Sequence, residues 1–286
     1  MASKRRRGDQ ASAPVEGDAM GAAMRWSTAI EENVAEALMA MGEAGGGEQR
    51  TDPEVRWTVG GSPIDYQNAV VDLTVSDARR ARRLAEEFVA RLHDLGVPGS
   101  WHLHPGIEMP GLADVLLGVG FTDGGTEPAM ALELSQFVEP EDIARDLVIR
   151  RVANRQDLGR YQDVLGESFG EGPREADWVA SIWDTIGFDP EGRWQHFVAF
   201  DGGDAVSTAT TFRNGPLVGV YFVATRPSRR ANGYGAAITA RSLAAARVAG
   251  AELAILGSSP MGRGVYERLG FRECFTYRIF EYRPPG

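Results

Sequence analysis

The residues whose types and spacing most clearly indicate a binding function lie in one segment, residues 223–236, with the sequence VATRPSRRANGYGA. The apolar run that leads into it, LVGVYFVAT, has the length and composition of a buried strand. The chain then turns at Pro227 and enters a helical pattern through Gly233 and Gly235. The first turn of a helix offers unpaired backbone N–H groups and a partial positive charge, and glycine lets an anion approach without a Cβ in the way. The segment therefore predicts a phosphate-binding site.

The spacing Arg230-x-x-Gly233-x-Gly235 excludes two common phosphate loops. It is not the G-x-G-x-x-G of dinucleotide-binding folds, and Ala236 and Ala237 stand where a Walker loop has its Lys-Ser/Thr pair. The arginines of the segment either contact the phosphates or are solvated loop charges: Arg226, Arg229 and Arg230.

The elements around this segment alternate between strands and helices. Downstream, the patterns predict a helix over residues 236–248, a strand over 251–256 and a helix over 264–271. Upstream, they predict strands over 147–152, 194–200 and 205–213 and helices over 156–169 and 175–186, and a strand over 275–282 closes the series.

Two motifs in this order resemble the GNAT superfamily of acyl-CoA N-acetyltransferases. They are V-x-x-x-P-x-x-R-x-x-G-x-G over residues 223–235 and Tyr-x-x-Leu-Gly-Phe over residues 266–271. The resemblance implies an α/β fold with a strongly bent mixed sheet flanked by helices. It also implies acetyl-CoA as co-substrate and direct transfer to an amine in a ternary complex.

The first half of the chain repeats the order of the second. Residues 69–121 and 217–271 both predict a strand, a long helix, a short strand and a helix that ends in Gly-Phe. In the first copy Ser76 is the predicted N-cap of the long helix, and a further strand is predicted over residues 129–134. The first copy has SDARRARR in place of the glycine turn and Leu116 where the second has Tyr266. We interpret this as a tandem GNAT layout with a degenerate first unit, coincidence of two α/β units being the alternative. The predicted division is a disordered tail at 1–20, the degenerate unit at 21–140 and the catalytic unit at 146–286.

The resemblance assigns the donor site residue by residue. Main-chain groups of Val223, Ala224 and Thr225 would meet the pantetheine arm at an edge where the parallel strands splay. Backbone N–H groups of the following loop would hold the pyrophosphate, with help from two arginine side chains: Arg229, Arg230, Ala231, Asn232, Gly233, Tyr234, Gly235 and Ala236.

Tyr266 stands where the family has the general acid for the departing thiolate. A phenol with a pKa near 10 stays protonated at neutral pH and donates to a thiolate. The alternative is a core tyrosine beside Val265 and Leu269. Ser259 either contacts the donor arm or caps the helix that follows Pro260.

The general base is not evident, because Phe222 occupies the strand position where related tandem sequences carry a carboxylate. An ordered water chain is one alternative. The side-chain candidates are His196, Glu171, Asp184, His102 and His104. His102 and His104 share a strand face, but further metal ligands are lacking, so we expect no metal. Cys274 is expected to be a small core residue rather than an acyl carrier.

A group of tryptophans precedes the donor strand, with carboxylates close in sequence. Either the group forms the acceptor side of the site, where it would suit an amine, or it is ordinary amphipathic packing: Trp178, Trp183, Trp194, Glu171, Glu175 and Asp184.

Composition limits the function classes. The length of 286 residues suggests two domains, and a net charge of −10 argues against nucleic acid as a main ligand. No apolar run is long enough to span a membrane, the basic N-terminus lacks the apolar core of a secretory signal, and a single cysteine fits the reducing cytoplasm.

The sequence thus predicts a cytoplasmic acetyl-CoA-dependent N-acetyltransferase that acts on a small amine. A protein or peptide N-acetyltransferase and a non-catalytic acyl-CoA sensor are the alternatives. The acceptor, the acyl chain length and the oligomeric state, a homodimer included, stay open.

Overall fold

A computed structural model describes residues 16–107, 109–140 and 146–285 of the chain. The tail prediction for residues 1–15 lies outside the described residues. Residues 16–20, also assigned to that tail, form the start of the first helix.

The first half contains three helices and five strands among its described residues. They are α1 (Glu16–Ala44), β1 (Glu48–Thr51), β2 (Val55–Val59), β3 (Asn68–Leu73), α2 (Ala78–Leu95), β4 (Gly99–Leu103), α3 (Leu112–Gly118) and β5 (Thr122–Glu133), with a 3₁₀ turn at Asp65–Gln67.

The second half contains four helices and six strands among its described residues. They are β6 (Val148–Arg151), α4 (Arg155–Ser168), α5 (Pro173–Ile186), β7 (Trp194–Asp201), β8 (Asp204–Asn214), β9 (Leu217–Thr225), α6 (Tyr234–Val248), β10 (Leu253–Gly257), α7 (Arg263–Arg268) and β11 (Arg272–Tyr282), with a 3₁₀ turn at Pro227–Arg229.

Local sequence explains most of these elements. In α2 the buried positions recur every three or four residues and form one apolar face: Ala81, Leu84, Ala85, Phe88 and Leu92. The N-cap of α2 is Asp77, whose side chain accepts a hydrogen bond from the Arg79 N–H. Our prediction of Ser76 as the cap was wrong, because the helix begins one residue later.

All eleven strands form one mixed sheet in the order β1-β2-β3-β4-β11-β5-β10-β9-β8-β7-β6. The pairs β3–β4 and β9–β10 are parallel, and the others are antiparallel. This is the predicted mixed sheet with helices packed on it.

The last strands of the two halves are exchanged. Both neighbours of β5 in the sheet, β11 and β10, belong to the second half, and both neighbours of β11, β4 and β5, belong to the first. The sheet therefore runs without a break across the boundary that we placed between residues 140 and 146.

Separate apolar clusters cover the sheet. The cluster under α2 contains Phe88 and Trp101. The cluster under α4 and α5 contains Tyr161 and Trp183, and the cluster under α6 and α7 contains Leu243. Among the described residues, no helix combines the length and hydropathy that a membrane span requires.

Candidate active site

The parallel strands β9 and β10 separate at the centre of the sheet. They pair only at Leu217–Leu253, Val218–Ala254 and Gly219–Ile255, although β9 continues to Thr225 and β10 to Gly257. Beyond Gly219 the β10-facing edge of β9 therefore has no partner strand. Val223, Ala224 and Thr225, predicted to meet the donor, lie on this open edge.

A bulge in β9 shapes the same edge. Thr208 pairs with Ala224 and Thr210 with Tyr221, so β9 carries one extra residue there. Phe222 adopts φ 51°, a left-handed conformation that is rare for a large side chain, and its carbonyl oxygen accepts a hydrogen bond from Thr208 Oγ1 at 3.0 Å. Because the bulge breaks the alternation of the strand, Tyr221, Phe222 and Val223 all line one cavity.

The loop after β9 holds a series of unpaired backbone N–H groups. Among the described residues, none accepts a hydrogen bond from the six consecutive amides of residues 231–236, and the first intrahelical bond of α6 runs from Ala237 N–H to Gly233 O. Ala231 has φ 64° and Gly233 has φ 78°. Such alternation of backbone conformation makes successive N–H groups converge, which creates an anion-binding concavity.

Side chains of the loop fix its shape rather than pointing into it. Arg229 pairs with Asp201 at 2.9 Å and Asp204 at 3.2 Å, and the Tyr234 hydroxyl donates to Asp201 at 2.8 Å. Arg230 donates to the carbonyl oxygens of Thr225 and Ser168, both at 3.2 Å.

The remaining polar side chains of the loop behave in the same way. Asn232 donates to the carbonyl oxygens of Arg229 and Arg230, and Arg226 pairs with Glu167. The candidate anion site therefore consists of backbone groups, and the arginine side chains stabilise the loop around it.

Tyr266 lies on α7, across the opening from the bulge, and only 9% of it is exposed. Burial raises the pKa of its hydroxyl to about 12, with a further contribution from the charge of Glu127. No described residue accepts a hydrogen bond from this hydroxyl. Tyr266 therefore stays protonated at neutral pH and is able to donate into the cavity that it lines.

Ser259 forms the turn that leads into α7, but the N-cap of that helix is Gly262 and not Ser259. The Ser259 Oγ accepts from the Gly262 N–H at 3.1 Å, and the Ser259 carbonyl oxygen accepts from the N–H groups of Gly262 and Arg263. It also lines the cavity next to Tyr266.

The cavity has a volume of ≈ 350 Å³ and lies where the two halves meet. Helix α1 forms one wall through Val34, Ala37, Leu38 and Met41. The other apolar surface is aromatic, contributed by Tyr66, Phe169, Trp194, Tyr221, Phe222, Tyr266 and Tyr277. Three carboxylates line it, Asp65, Glu127 and Glu281, and no arginine or lysine of the described residues does.

Glu127 on β5 is a site residue that the sequence analysis missed. It lines the cavity, and it has neither a hydrogen-bond donor nor a cation as partner among the described residues. Burial alone raises its pKa above the usual range of a carboxyl group. Our predicted strand began at residue 129, because Gly124, Gly125 and Pro128 disfavour a strand before it.

Tyr221 and Tyr277 supply further hydroxyls at the cavity. The Tyr221 hydroxyl donates to Asn33 Oδ1 on α1 at 2.7 Å, and Asn33 is fully buried. Tyr277 is 5% exposed, and its hydroxyl oxygen is buried without a hydrogen-bond partner among the described residues. Tyr277 therefore carries an unsatisfied hydroxyl on a side chain that lines the cavity.

The histidines considered as bases occupy other roles. His196 is buried against Trp183 and Trp194, contacts Thr210 Oγ1 at 2.9 Å and does not line the cavity. Burial lowers its pKa to about 3. His102 does line the cavity, but burial, aided by the charge of His104, lowers its pKa to about 4.

His104 and the carboxylates proposed as bases also have partners in the protein. His104 contacts Glu31 at 3.0 Å. Glu171 pairs with Arg174 and Arg283, and Asp184 pairs with Arg155 at 2.6 Å.

The predicted aromatic acceptor side is divided by the fold. Trp194 lines the cavity, whereas Trp183 packs in the core between Trp194 and Phe222. Glu175 is buried and accepts hydrogen bonds from the Tyr66 hydroxyl and the Glu171 N–H. Cys274 is half-buried, and burial raises the pKa of its thiol to about 11, so the thiolate is disfavoured.

Among the described residues of the first half, the place that corresponds to the candidate anion site is filled by a side chain. The N-terminus of α2, which corresponds to that of α6, is occupied by the Asp77 side chain. A carboxylate there satisfies a backbone donor and repels a phosphate, whereas Gly233 at the corresponding cap has no side chain.

Comparison with known proteins agrees with this geometry. Residues 159–271, which contain the anion loop, the splayed strands and Tyr266, match the model of the Acetyltransferase (GNAT) family. This part of the chain is a GNAT domain.

Solved structures extend the likeness of the GNAT domain to the fold of the whole chain. A GCN5-related N-acetyltransferase from Kribbella flavida is 20% identical with a TM-score of 0.65, over 88% of this chain and 96% of its own. A functionally unknown protein from Staphylococcus epidermidis is 14% identical with a TM-score of 0.64, over 84% and 95%.

A tandem GNAT protein from the clavulanic acid biosynthesis pathway is 15% identical with a TM-score of 0.55, over 81% of this chain and 79% of its own. At these identities the likeness concerns the fold, which is a tandem GNAT fold. No curated protein matches the sequence.

Proposed function

We propose that this protein is an N-acetyltransferase that moves the acetyl group of acetyl-CoA to a primary amine of a small molecule. The observation that carries the proposal is a continuous path. It runs from the six unpaired amides of residues 231–236, along the open edge of β9, to a cavity lined by Tyr266.

The donor side of the path matches the parts of acetyl-CoA. The amides and the α6 N-terminus hold the pyrophosphate, because converging N–H groups and the helix dipole favour a dianion. The open edge of β9 at Val223 to Thr225 pairs with the amides of the pantetheine arm as a missing strand would. The thioester then lies at the bulge, beside Tyr266.

The residues that line the cavity support direct transfer. The amine nitrogen attacks the thioester carbon, the C–S bond breaks, and the Tyr266 hydroxyl protonates the thiolate, since its high pKa keeps the proton available. Cys274 takes no part, because it does not line the cavity.

Size and charge favour a small amine over a protein tail. A volume of ≈ 350 Å³ is within the range of roughly 300–1,000 Å³ typical of small-molecule sites. Helix α1 closes one side of the cavity, whereas a protein substrate would need an open groove there. Of the three carboxylates that line the cavity, Asp65 is paired with Arg283 at 3.2 Å, whereas Glu127 has no cation partner among the described residues, which suits a cationic substrate.

The experiment is a screen of primary amines with acetyl-CoA, in which release of free CoA thiol and the acetylated product are both measured. The panel includes phenylethylamine, spermidine, glucosamine, amino acids and a short peptide with a free N-terminus. Release that requires a small amine supports the proposal. Release with the peptide alone supports a peptide acetyltransferase, and acetyl-CoA binding without transfer to any amine supports a sensor.

A control for self-acetylation is available, because Lys4 is the single lysine of the chain. Intact-mass measurement after the reaction separates acetylation of Lys4 or the N-terminus from acetylation of the added amine. We also propose that the enzyme acts in the cytoplasm. Because Cys274 is its single cysteine, the chain forms no internal disulfide and needs no oxidising compartment.

A further inference from the structure

The cavity contains a base that comes from the other half of the chain. Glu127 lies on β5, which the strand exchange inserts between β10 and β11. A Cβ on Gly257 would overlap Glu127 Oε1, so the carboxylate lies directly against the β10 end of the splayed strands. Its charge also contributes to the raised pKa values of Tyr221, Tyr266 and Tyr277, so all three hydroxyls lie within its electrostatic reach.

We propose that Glu127 binds the ammonium group of the acceptor and takes its proton before acetyl transfer. The first half of the chain would thereby supply the general base to the donor site of the second half. The inference rests on the proposed function and names the proton acceptor of the same cavity.

Two independent features point to a cationic ligand beside Glu127. Glu127 is half-buried, and its carboxylate has neither a hydrogen-bond donor nor a cation as partner among the described residues, so it is available to a cation that enters the cavity. The hydroxyl oxygen of Tyr277 is buried and unpaired among the same residues, and its side chain lines the same cavity. An ammonium donates one N–H to Glu127 and a second to the Tyr277 oxygen, while aromatic faces surround its carbon.

The surroundings of Glu127 suit a base. Burial moves its pKa upward, which strengthens its affinity for a proton while leaving it far weaker than a free amine. The titratable groups that face it or lie behind these neighbours are Tyr221 on β9, Tyr266 on α7, Tyr277 on β11, His102 on β4, Glu31 on α1, and Asp65 and Glu281, which also line the cavity. His102 is uncharged at neutral pH, since its pKa is about 4. Behind these groups, Arg283 is paired with Asp65 at 3.2 Å and His104 contacts Glu31 at 3.0 Å.

The proposed reaction releases one proton for each acetyl group transferred. An amine with a pKa of about 10 enters as R–NH₃⁺, and Glu127 takes one proton and releases it to water. The neutral nitrogen forms the C–N bond as the C–S bond breaks. Tyr266 gives its proton to the thiolate and recovers one from the nitrogen, so the products are the amide, the CoA thiol and one proton.

The test uses the full chain with phenylethylamine as the probe, because its aromatic body matches the cavity wall. Glu127→Gln keeps the shape and removes the base, and we expect kcat to fall by roughly 10²–10⁴-fold. The affinity for acetyl-CoA should not change. The matched control is Glu133→Gln, which alters an exposed glutamate on the same strand outside the cavity.

Two further readouts separate a base from a structural residue. In the wild type, kcat/KM should have an acidic limb set by Glu127, above the usual carboxyl range. In Glu127→Gln this limb should be replaced by a rate that rises with pH as free amine accumulates. Gly257→Ala should displace the carboxylate and lower kcat, whereas Gly264→Ala on α7, whose Cβ has ordinary space, should not.

Each outcome decides the proposal. A Glu127→Gln rate within about threefold of wild type, with an unchanged acidic limb, overturns it and leaves the acetyl transfer intact. If the wild type releases no thiol with any amine, the proposed function is wrong. The proposed role of Glu127 is then wrong as well. Loss of kcat with recovery at high pH supports Glu127 as the base.

Discussion

At the scale of single residues, the site combines side chains from distant parts of the chain. Tyr266 comes from α7 of the second half, whereas Glu127 comes from the end of the first half. In the mechanism that we propose, the two have opposite tasks, because Tyr266 gives a proton and Glu127 takes one. In both cases burial raises the pKa, which keeps the phenol protonated and makes the carboxylate a better proton acceptor.

Tyr266→Phe should lower kcat by roughly 10²–10⁴-fold, because it removes one proton donor and almost no volume. The affinity for acetyl-CoA and the melting temperature should stay close to wild type, as measured by calorimetric titration and thermal denaturation. Tyr161→Phe is the contrasting variant. It removes a fully buried hydroxyl that contacts Thr210 at 2.8 Å outside the cavity, so it should cost stability rather than rate. A Tyr266→Phe rate near wild type would make Tyr266 a packing residue.

At the scale of elements, two helix N-termini that occupy corresponding places differ in their caps. Helix α6 begins at Gly233, which has no side chain and leaves the amides of residues 231–236 unpaired. Helix α2 begins at Asp77, whose carboxylate occupies the place of an anion. The cap of α6 therefore leaves the proposed phosphate site open, whereas the cap of α2 fills the corresponding place with a carboxylate.

Gly235→Val should weaken acetyl-CoA binding at least about tenfold with little loss of stability. A Cβ at Gly235 meets only Thr225 Oγ1 at 3.5 Å within the protein, but it projects where the pyrophosphate is proposed to lie. Calorimetric titration measures the affinity, and Ala249→Val at the other end of α6 is the control. Unchanged affinity in Gly235→Val would contradict the donor site.

Gly233→Val, which the sequence alone presents as an equivalent test, should also destabilise the fold. Its φ of 78° costs a residue with a Cβ about 1–2 kcal/mol. A loss of affinity in that variant is therefore not attributable to the phosphate site alone.

The full chain should bind one CoA, at the α6 loop. The arginines of α2 offer no second site, because Arg80 pairs with Glu54, Arg82 with Glu86, and Asp77 occupies the cap. Equilibrium dialysis checks this, with Arg82→Ala/Arg83→Ala as the variant expected to leave the stoichiometry unchanged. Two CoA per chain, with one lost in that variant, would show that both copies kept a donor site.

At the scale of the whole molecule, the exchange of β5 and β11 joins the halves into one folding unit. Each half alone would lack the strand that covers its central edge and would expose unpaired backbone groups there. The exchange also brings Glu127 to the donor site, so the first half is part of the catalytic centre that we propose.

Chains cut between residues 140 and 146 should therefore not fold separately. We expect each fragment alone to aggregate or remain unfolded, as judged by size-exclusion chromatography and circular dichroism. Co-expressed fragments should assemble into an active complex. A soluble, cooperatively melting fragment covering residues 16–140 would contradict the requirement for exchange.

Much of the fold was predictable because local sequence patterns determine its helices and strands. The period of the apolar residues predicted α2, and the strand–turn–helix around Gly233 predicted the anion loop, since a helix N-terminus makes its own binding groups. The tandem repeat was also predictable, because it is a property of element order. The capping residue was misjudged by one position, since Ser76 and Asp77 are both good caps.

The base and the strand exchange needed the tertiary structure. Sequence alone predicted the loop that leads into α6 and the helix that carries Tyr266, because both depend on contacts within about fifty residues of one strand–helix–strand–helix unit. It did not determine Glu127, which lies in a Gly- and Pro-containing segment with weak strand propensity and becomes part of β5 through pairing with β11. Propensity is a local property, whereas the position of Glu127 beside Gly257 depends on pairing between strands more than 120 residues apart in the sequence.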